Sequence, residues 1–180
     1  MKTVLTVAGS DPSGGAGIQA DIKTITAHGL YATSAITALT VQNTLGVSRV
    51  EPVPVDLVVQ QIDCVVGDIR PDAVKIGMLC NAEIVQAVAQ ALAHGQAECI
   101  VIDPVMISTS GHRLLDQEAV QWMKRKLFPM AQLITPNLPE AEALCGMRVR
   151  DEAEMERAAR LLSDQTGAAV LLKGGHLAKT

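Results

Sequence analysis

Apolar residues in this chain gather in short continuous runs, and between the runs they recur with helical spacing. Residues 4–8 form a first run that reads as a strand, and behind it Ile18, Ile22 and Ile25 fall on one helical face that stops near Gly29. Residues 31–41 are rich in β-branched side chains and predict a second strand. Residues 46–53 predict a further strand, with an irregular alternation at Val47, Arg49 and Val50. Residues 56–66 carry Leu57, Val58, Ile62 and Val65 as an apolar helical stripe, and residues 73–78 form a strand ending in a glycine turn. Asn81 suits a helix N-cap, with Glu83 in the first turn and Gly95 past the end. Residues 99–102 form a short buried strand that runs straight into Asp103 and Pro104. A loop over 108–111 precedes a helix that starts at Asp116 and cannot continue past Pro129. A strand over 133–135 leads through a proline-bounded loop at 136–139 into a short helix containing Glu140. Residues 151–166 predict a charged amphipathic helix, and 169–172 a last strand ending in Lys173, Gly174 and Gly175.

Strands that alternate with helices and are apolar on both faces predict an α/β fold, with a mainly parallel sheet covered on each side. Ligands of such sheets bind at the C-terminal ends of the strands. Residues 9–21, GSDPSGGAGIQAD, lie at such an end, where glycines allow backbone to approach a ligand and the first N–H groups of the helix face it unpaired. The same glycines would also serve a tight strand-to-helix turn with no ligand. Gly9 to Gly14 has the outer spacing of a P-loop, but Gly15 and Ala16 stand where a lysine and a hydroxyl are needed. Gly15, Gly17 and Ala20 spell a dinucleotide fingerprint. Residues 10–14 intervene between strand and fingerprint, however, and the second strand ends at Gln42 and Asn43 without a ribose-binding acid, which disfavours an NAD-binding oxidoreductase.

Composition narrows the classes further. At 180 residues the chain suits one domain, with about 70% of its unfolded surface buried. Trp122, Tyr31 and Phe128 are the only aromatic residues, which leaves no stacking platform for single strands. A net charge of −4 without basic runs argues against a duplex-binding surface, so no nucleic-acid partner is expected. Four separated cysteines show no zinc spacing and suggest reduced thiols. No apolar run reaches the roughly 18 residues of a membrane span, and the start has no signal peptide; a cytoplasmic protein with no membrane partner is the expectation.

The 9–21 string, with Lys23 and Thr24 after it, closely resembles the opening of the hydroxymethylpyrimidine/phosphomethylpyrimidine kinases of thiamine biosynthesis, a branch of the ribokinase-like superfamily. The later strings QNT, KIGM, DPVM, SGxxLL, TPNLPEA and LLKGGH continue the match. The resemblance implies a three-layer α/β/α fold over residues 1–180. It also implies ATP and Mg²⁺ as cofactors and a small aminopyrimidine as substrate, and it allows a homodimer. In the family's pattern Gly9, Ala16, Asp21, Gln42, Met78 and Val105 line the pyrimidine pocket, with Gln42 reading the ring. Asp103 and Glu140 lie beside the metal, and Asn137, Lys173 and Gly175 beside the nucleotide. The base and the glycine-rich anion-hole loop are expected beyond Thr180, which makes the domain C-terminally incomplete against that pattern. Pyridoxal kinase is the related alternative.

Each of these residues also has a structural reading. Asp103 suits a turn or helix cap, Glu140 the dipole of a helix that Pro139 opens, and Lys173 with its glycines an ordinary turn. Gln42 could be solvated, and Met78 and Val105 could be core. His28 and His94 sit before glycines at helix ends, which explains them without a catalytic role.

Overall fold

The computed structural model describes residues 1–106 and 115–175. In chain order it contains β1 (Thr3–Ser10), α1 (Gly17–Ala27), β2 (Tyr31–Asn43), β3 (Gly46–Pro52), α2 (Val55–Asp68), β4 (Ala73–Ile76), α3 (Ala82–His94), β5 (Ile100–Ile102), α4 (Gln117–Trp122), β6 (Leu133–Ile134), α5 (Leu138–Cys145), α6 (Glu152–Thr166) and β7 (Ala169–Val170). The strands form one sheet in the order β3-β2-β1-β4-β5-β6-β7, in which only the β2–β3 pairing is antiparallel.

The pleat sorts the central strands onto two faces. Leu5 and Val7 of β1, Val74 and Ile76 of β4, and Ile100 and Ile102 of β5 enter one continuous core with Val58 and Ile62 of α2 and Val85, Val88 and Leu92 of α3. Thr6 and Lys75, one residue out of phase, meet Asp21 of α1 on the opposite face. Helices therefore cover both sides, in the three-layer ribokinase-like arrangement that the resemblance implies.

Several boundaries differ from those read in the sequence. Leu57 is exposed, because Val58 and Ile62, four apart, are the residues of α2 that point into the core. β4 stops at Ile76, so Met78 lies in the segment after the strand. The helix capped by Asp116 loses α geometry at Trp122, passes through a π-helical turn over Met123–Leu127, and ends in a 3₁₀ turn over Phe128–Met130 that includes Pro129. Leu138, not Pro139, is the first residue of α5. The loop read at 108–111, most of the SGxxLL string and His176 lie outside the described residues. No helix among the described residues is long and apolar enough to cross a membrane.

The strand order also places the crevice. From β1 the chain moves to β2 on one side and later to β4 on the other, so the two connections leave β1 in opposite directions. Their ends part at the C-terminal edge of β1 and β4, where open α/β sheets bind ligands.

Candidate functional site

A cleft of about 620 Å³ opens at that edge. Gly9, Ala16, Asp21, Gln42, Met78, Val105, Asp103, Asn137, Glu140 and Lys173 all line it. Gly175 does not. It is exposed in the turn after Lys173, with open space where a Cβ would be.

The glycine loop is held from inside by Asp11, a residue the sequence reading passed over. Its carboxylate is 3% exposed. It accepts from the Ser13 N–H and hydroxyl at 2.8 and 2.7 Å, and from the N–H groups of Gly15 and Ala16 at 3.1 and 2.8 Å. Burial alone would push this carboxyl above its usual range, but the Ser13 hydroxyl and the three N–H groups together hold it below. Gln19 ties down the other side, accepting from the Asp11 N–H and donating to the Ser10 hydroxyl, both at 2.8 Å. Gly15 and Ala16 come before the first residue of α1, Gly17, and their N–H donors are already taken by Asp11. Gly17 is obligatory here: its φ is +56°, and a Cβ would stand 2.2 Å from the Gly9 carbonyl oxygen. Gly9 in turn leaves room for the Met78 methyl, which a Cβ would meet at 2.8 Å.

Asp21 sits in the wall of the cleft, paired through both oxygens with Lys75 at 2.9 and 2.8 Å and accepting from the Thr6 hydroxyl at 2.6 Å. Gln42 lies where β2 pairs with β3 through a register shift between Val41 and Gln42, an irregularity of the kind that re-aims side chains at functional edges. The Thr40 hydroxyl has one hydrogen and two acceptors in reach, Ser10 O at 2.8 Å and Gln42 Oε1 at 3.2 Å. The shorter contact takes it, so the carboxamide of Gln42 keeps both its donor and its acceptor for a ligand.

The far end of the cleft is charged. Asp103, directly after β5, accepts from the Thr135 hydroxyl at 3.1 Å and from Lys173 at 2.7 Å. Asn137 and Glu140 form a capping box on α5: the Asn137 side chain accepts from the Glu140 N–H at 2.9 Å, and Glu140 accepts from the Asn137 N–H at 2.8 Å. The capping role read for Glu140 is therefore present. The carboxyl is also 4% exposed and faces the cleft. Burial pushes its pKa up, opposed by the Asn137 N–H, and nearby Asp103 pushes it further while Lys173 pulls it back. Among the described residues no three His, Cys, Asp or Glu side chains converge to cage a metal by themselves. The two carboxylates, one of them raising the other's proton affinity, do suit a hard cation completed by phosphate and water oxygens.

The site thus gathers residues from six strand ends, which spacing along the chain could not show. Two signals for the missed residues were nevertheless legible. Asp11 stands two before Ser13, the spacing of an aspartate that bonds its own turn. Lys75 interrupts an otherwise apolar strand, Ala73–Ile76, where a charge needs a partner.

Residues 11–180 match the family model described as phosphomethylpyrimidine kinase. The chain is 49% identical to a hydroxymethylpyrimidine/phosphomethylpyrimidine kinase of Haemophilus influenzae, over 98% of this chain and 65% of that protein. It is 52% identical to a thiamine biosynthesis bifunctional protein of Geobacter sulfurreducens, over 97% of this chain and 36% of that one. A crystal structure of phosphomethylpyrimidine kinase from Clostridium difficile 630 superposes with a TM-score of 0.91 at 44% identity, covering 100% of this chain and 78% of that one. The chain spans less than two thirds of the length of these two curated relatives. A match of this extent, joined to the glycine loop and the strand order already described, places the chain in the phosphomethylpyrimidine kinase family.

Proposed function

We propose that the protein carrying this chain transfers the γ-phosphoryl group of ATP to the hydroxymethyl oxygen of 4-amino-5-hydroxymethyl-2-methylpyrimidine, and then phosphorylates the monophosphate, in thiamine biosynthesis. The observation that carries this reading is the division of a single cleft. At the β1–β2 end stands the carboxamide of Gln42, with Met78 beside Gly9 as an apolar wall. At the β5–β7 end stand Asp103, Glu140, Asn137 and Lys173, and Val105, two residues past Asp103, adds a second apolar lining. A volume of about 620 Å³ lies in the usual range for small-molecule sites.

Gln42 would read the adjacent ring nitrogen and amino group, donating to one and accepting from the other. Met78 is 8% exposed and gives the ring a polarisable wall. At the other end Asp103 and Glu140 would hold Mg²⁺, which supplies charge neutralisation for the phosphates when bound. Lys173, released from Asp103, would reach a phosphate oxygen, and Asn137 would stay fixed by its capping bond to orient the site. Little covalent chemistry is asked of the protein. Its contribution is to align the hydroxyl with the phosphorus and to balance charge.

The test is ADP release by the full-length protein with the aminopyrimidine and, separately, with pyridoxal, the products being identified by mass. The expected result is a phosphorylated pyrimidine and a much lower kcat/KM for pyridoxal. Preferred turnover of pyridoxal, or none of the pyrimidine, overturns the reading.

A further inference from the structure

Lys75 takes no part in the proposed contacts to pyrimidine, metal or nucleotide. Its neighbours in β4, Val74 and Ile76, are 2% and 0% exposed in the main core. The pleat therefore sends Lys75 to the α1 face, where Thr6 is its register partner on β1. There β1, β4 and α1 bring three polar groups together. Lys75 Nζ binds both Asp21 oxygens at 2.9 and 2.8 Å, and the Thr6 hydroxyl donates to Asp21 Oδ2 at 2.6 Å. Gly77, two residues on, clears the space: a Cβ there would lie 3.1 Å from Nζ. A partly buried ion pair of this kind adds little stability over an apolar pair of similar volume, so stability alone does not account for it. Both charged members line the cleft.

A carboxylate has about four acceptor positions, and three of Asp21's are occupied, two on Oδ2 and one on Oδ1. One acceptor position on Oδ1 remains. The amino group of an aminopyrimidine has two N–H donors. Gln42, if its amide N–H serves the ring nitrogen, can accept from only one of them. The second donor needs another acceptor in the same cleft, because a desolvated N–H left unmatched weakens binding.

We propose that Lys75 is a positioning residue for the substrate: together with Thr6 it clamps the Asp21 carboxylate in one rotamer, so that the remaining Oδ1 position accepts the second amino N–H. This rests on the proposed function, and deepens it by naming what selects the amino group. Lys75 acts through Asp21 and touches no reacting atom.

The experiment is steady-state kinetics of the full-length protein on the aminopyrimidine and on its analogue with hydrogen in place of the amino group. Lys75→Met should raise KM for the aminopyrimidine about 10- to 30-fold, with kcat and the KM for ATP within about two-fold of wild type. With the des-amino analogue the same substitution should change KM by less than about two-fold, because no N–H is left to be read. Lys75→Arg should recover part of the loss. Thr6→Val, similar in shape, should move KM the same way by a smaller factor, and it decides the matter should Lys75→Met fail to fold. An equal penalty on both substrates, or an unchanged KM in Thr6→Val with a folded protein, overturns the proposal. Absence of pyrimidine turnover by the wild type would instead sink the functional reading itself.

Discussion

Asp11→Asn tests how the glycine loop is built. The substitution keeps one carbonyl oxygen, which can still serve Ser13, and places an NH₂ opposite the N–H groups of Gly15 and Ala16. Two charge-assisted bonds, at 3.1 and 2.8 Å, are replaced by donor facing donor. Each such bond contributes about 1.5–3 kcal/mol. Gly15 and Ala16 are exposed and can turn toward water, which recovers part of the loss. The expected destabilisation is about 2–3 kcal/mol, read as a shift of the urea midpoint at constant slope. The pH dependence gives a second readout. The Asp11 carboxyl is held below its usual range in the folded state. Its contribution is therefore fully present above the unfolded value of about 3.9 and is lost as pH falls through the lower folded value. In Asp11→Asn that part of the acid limb should flatten, so the stability gap between the two proteins should narrow below pH of about 4. A variant with the wild-type midpoint and the wild-type acid limb would show that the four bonds to Asp11 contribute nothing net, and the account of the loop would be wrong.

Other expectations follow from the same geometry. Gln42→Leu, similar in bulk, should weaken aminopyrimidine binding by about 1–3 kcal/mol in calorimetry while nucleotide affinity stays nearly unchanged; equal pyrimidine affinity removes Gln42 from the site. Asp103→Asn in the full-length protein should depress phosphoryl transfer and its Mg²⁺ dependence more than pyrimidine binding, and a variant with wild-type metal dependence would leave Asp103 a partner of Thr135 and Lys173 only. Glu140 has a raised folded pKa, so its linked stability is present below the unfolded value of about 4.3 and is lost as pH rises through the folded one. Glu140→Gln retains a capping side chain, so it should melt no lower than wild type at neutral pH and should lose any advantage in acid; a clear loss of stability at pH 7 refutes this. Gly17→Ala forces a Cβ to 2.2 Å from a carbonyl at φ +56° and should cost on the order of 4 kcal/mol or prevent folding, whereas Gly29→Ala, with open space but φ +73°, should cost only about 1 kcal/mol.

Much of the scaffold was legible because the central strands are mostly apolar runs and three of the helices, α3, α4 and α6, begin at a capping Asn or Asp. Asn81 caps its helix as read, and Asp116 and Asp151, read as the first residues of helices, are caps as well, with side-chain oxygens accepting from Ile84, Ala119 and Glu154. The site was legible only as a set of strand-end residues. What joins them is tertiary: Lys75 and Asp21 are 54 residues apart, and Lys173 and Asp103 are 70 apart. Periodicity says that a lysine within Ala73–Ile76 is out of place, but it cannot name the carboxylate that answers it. The register shift before Gln42 was equally hidden, although the irregular alternation at Val47, Arg49 and Val50 is its trace in the partner strand. Gly17 was visible as a glycine; the Gly9 carbonyl that requires it was not.

The filled loop has a further consequence for orientation. A glycine loop running into a helix usually offers its N–H groups to a phosphate. Here Asp11 already occupies the Gly15 and Ala16 donors, and an anion brought to them would also meet the Asp11 charge. Asp21 adds a second carboxylate at the same end, whereas Lys173 and the N-terminus of α5 lie at the other. On the proposed function, a neutral ring with N–H donors belongs at the glycine loop, and phosphates belong toward Lys173. The monophosphate substrate of the second step should then enter with its phosphate pointing away from Gly15 and Ala16. Titrating inorganic phosphate and the pyrimidine monophosphate into ¹⁵N-labelled protein should shift the amides around Asn137 and Lys173, and the phosphate should leave those of Gly15 and Ala16 in place. Saturable shifts of Gly15 and Ala16 with inorganic phosphate would show that Asp11 yields its donors to an outside anion, and the assignment of the two ends would have to be reversed.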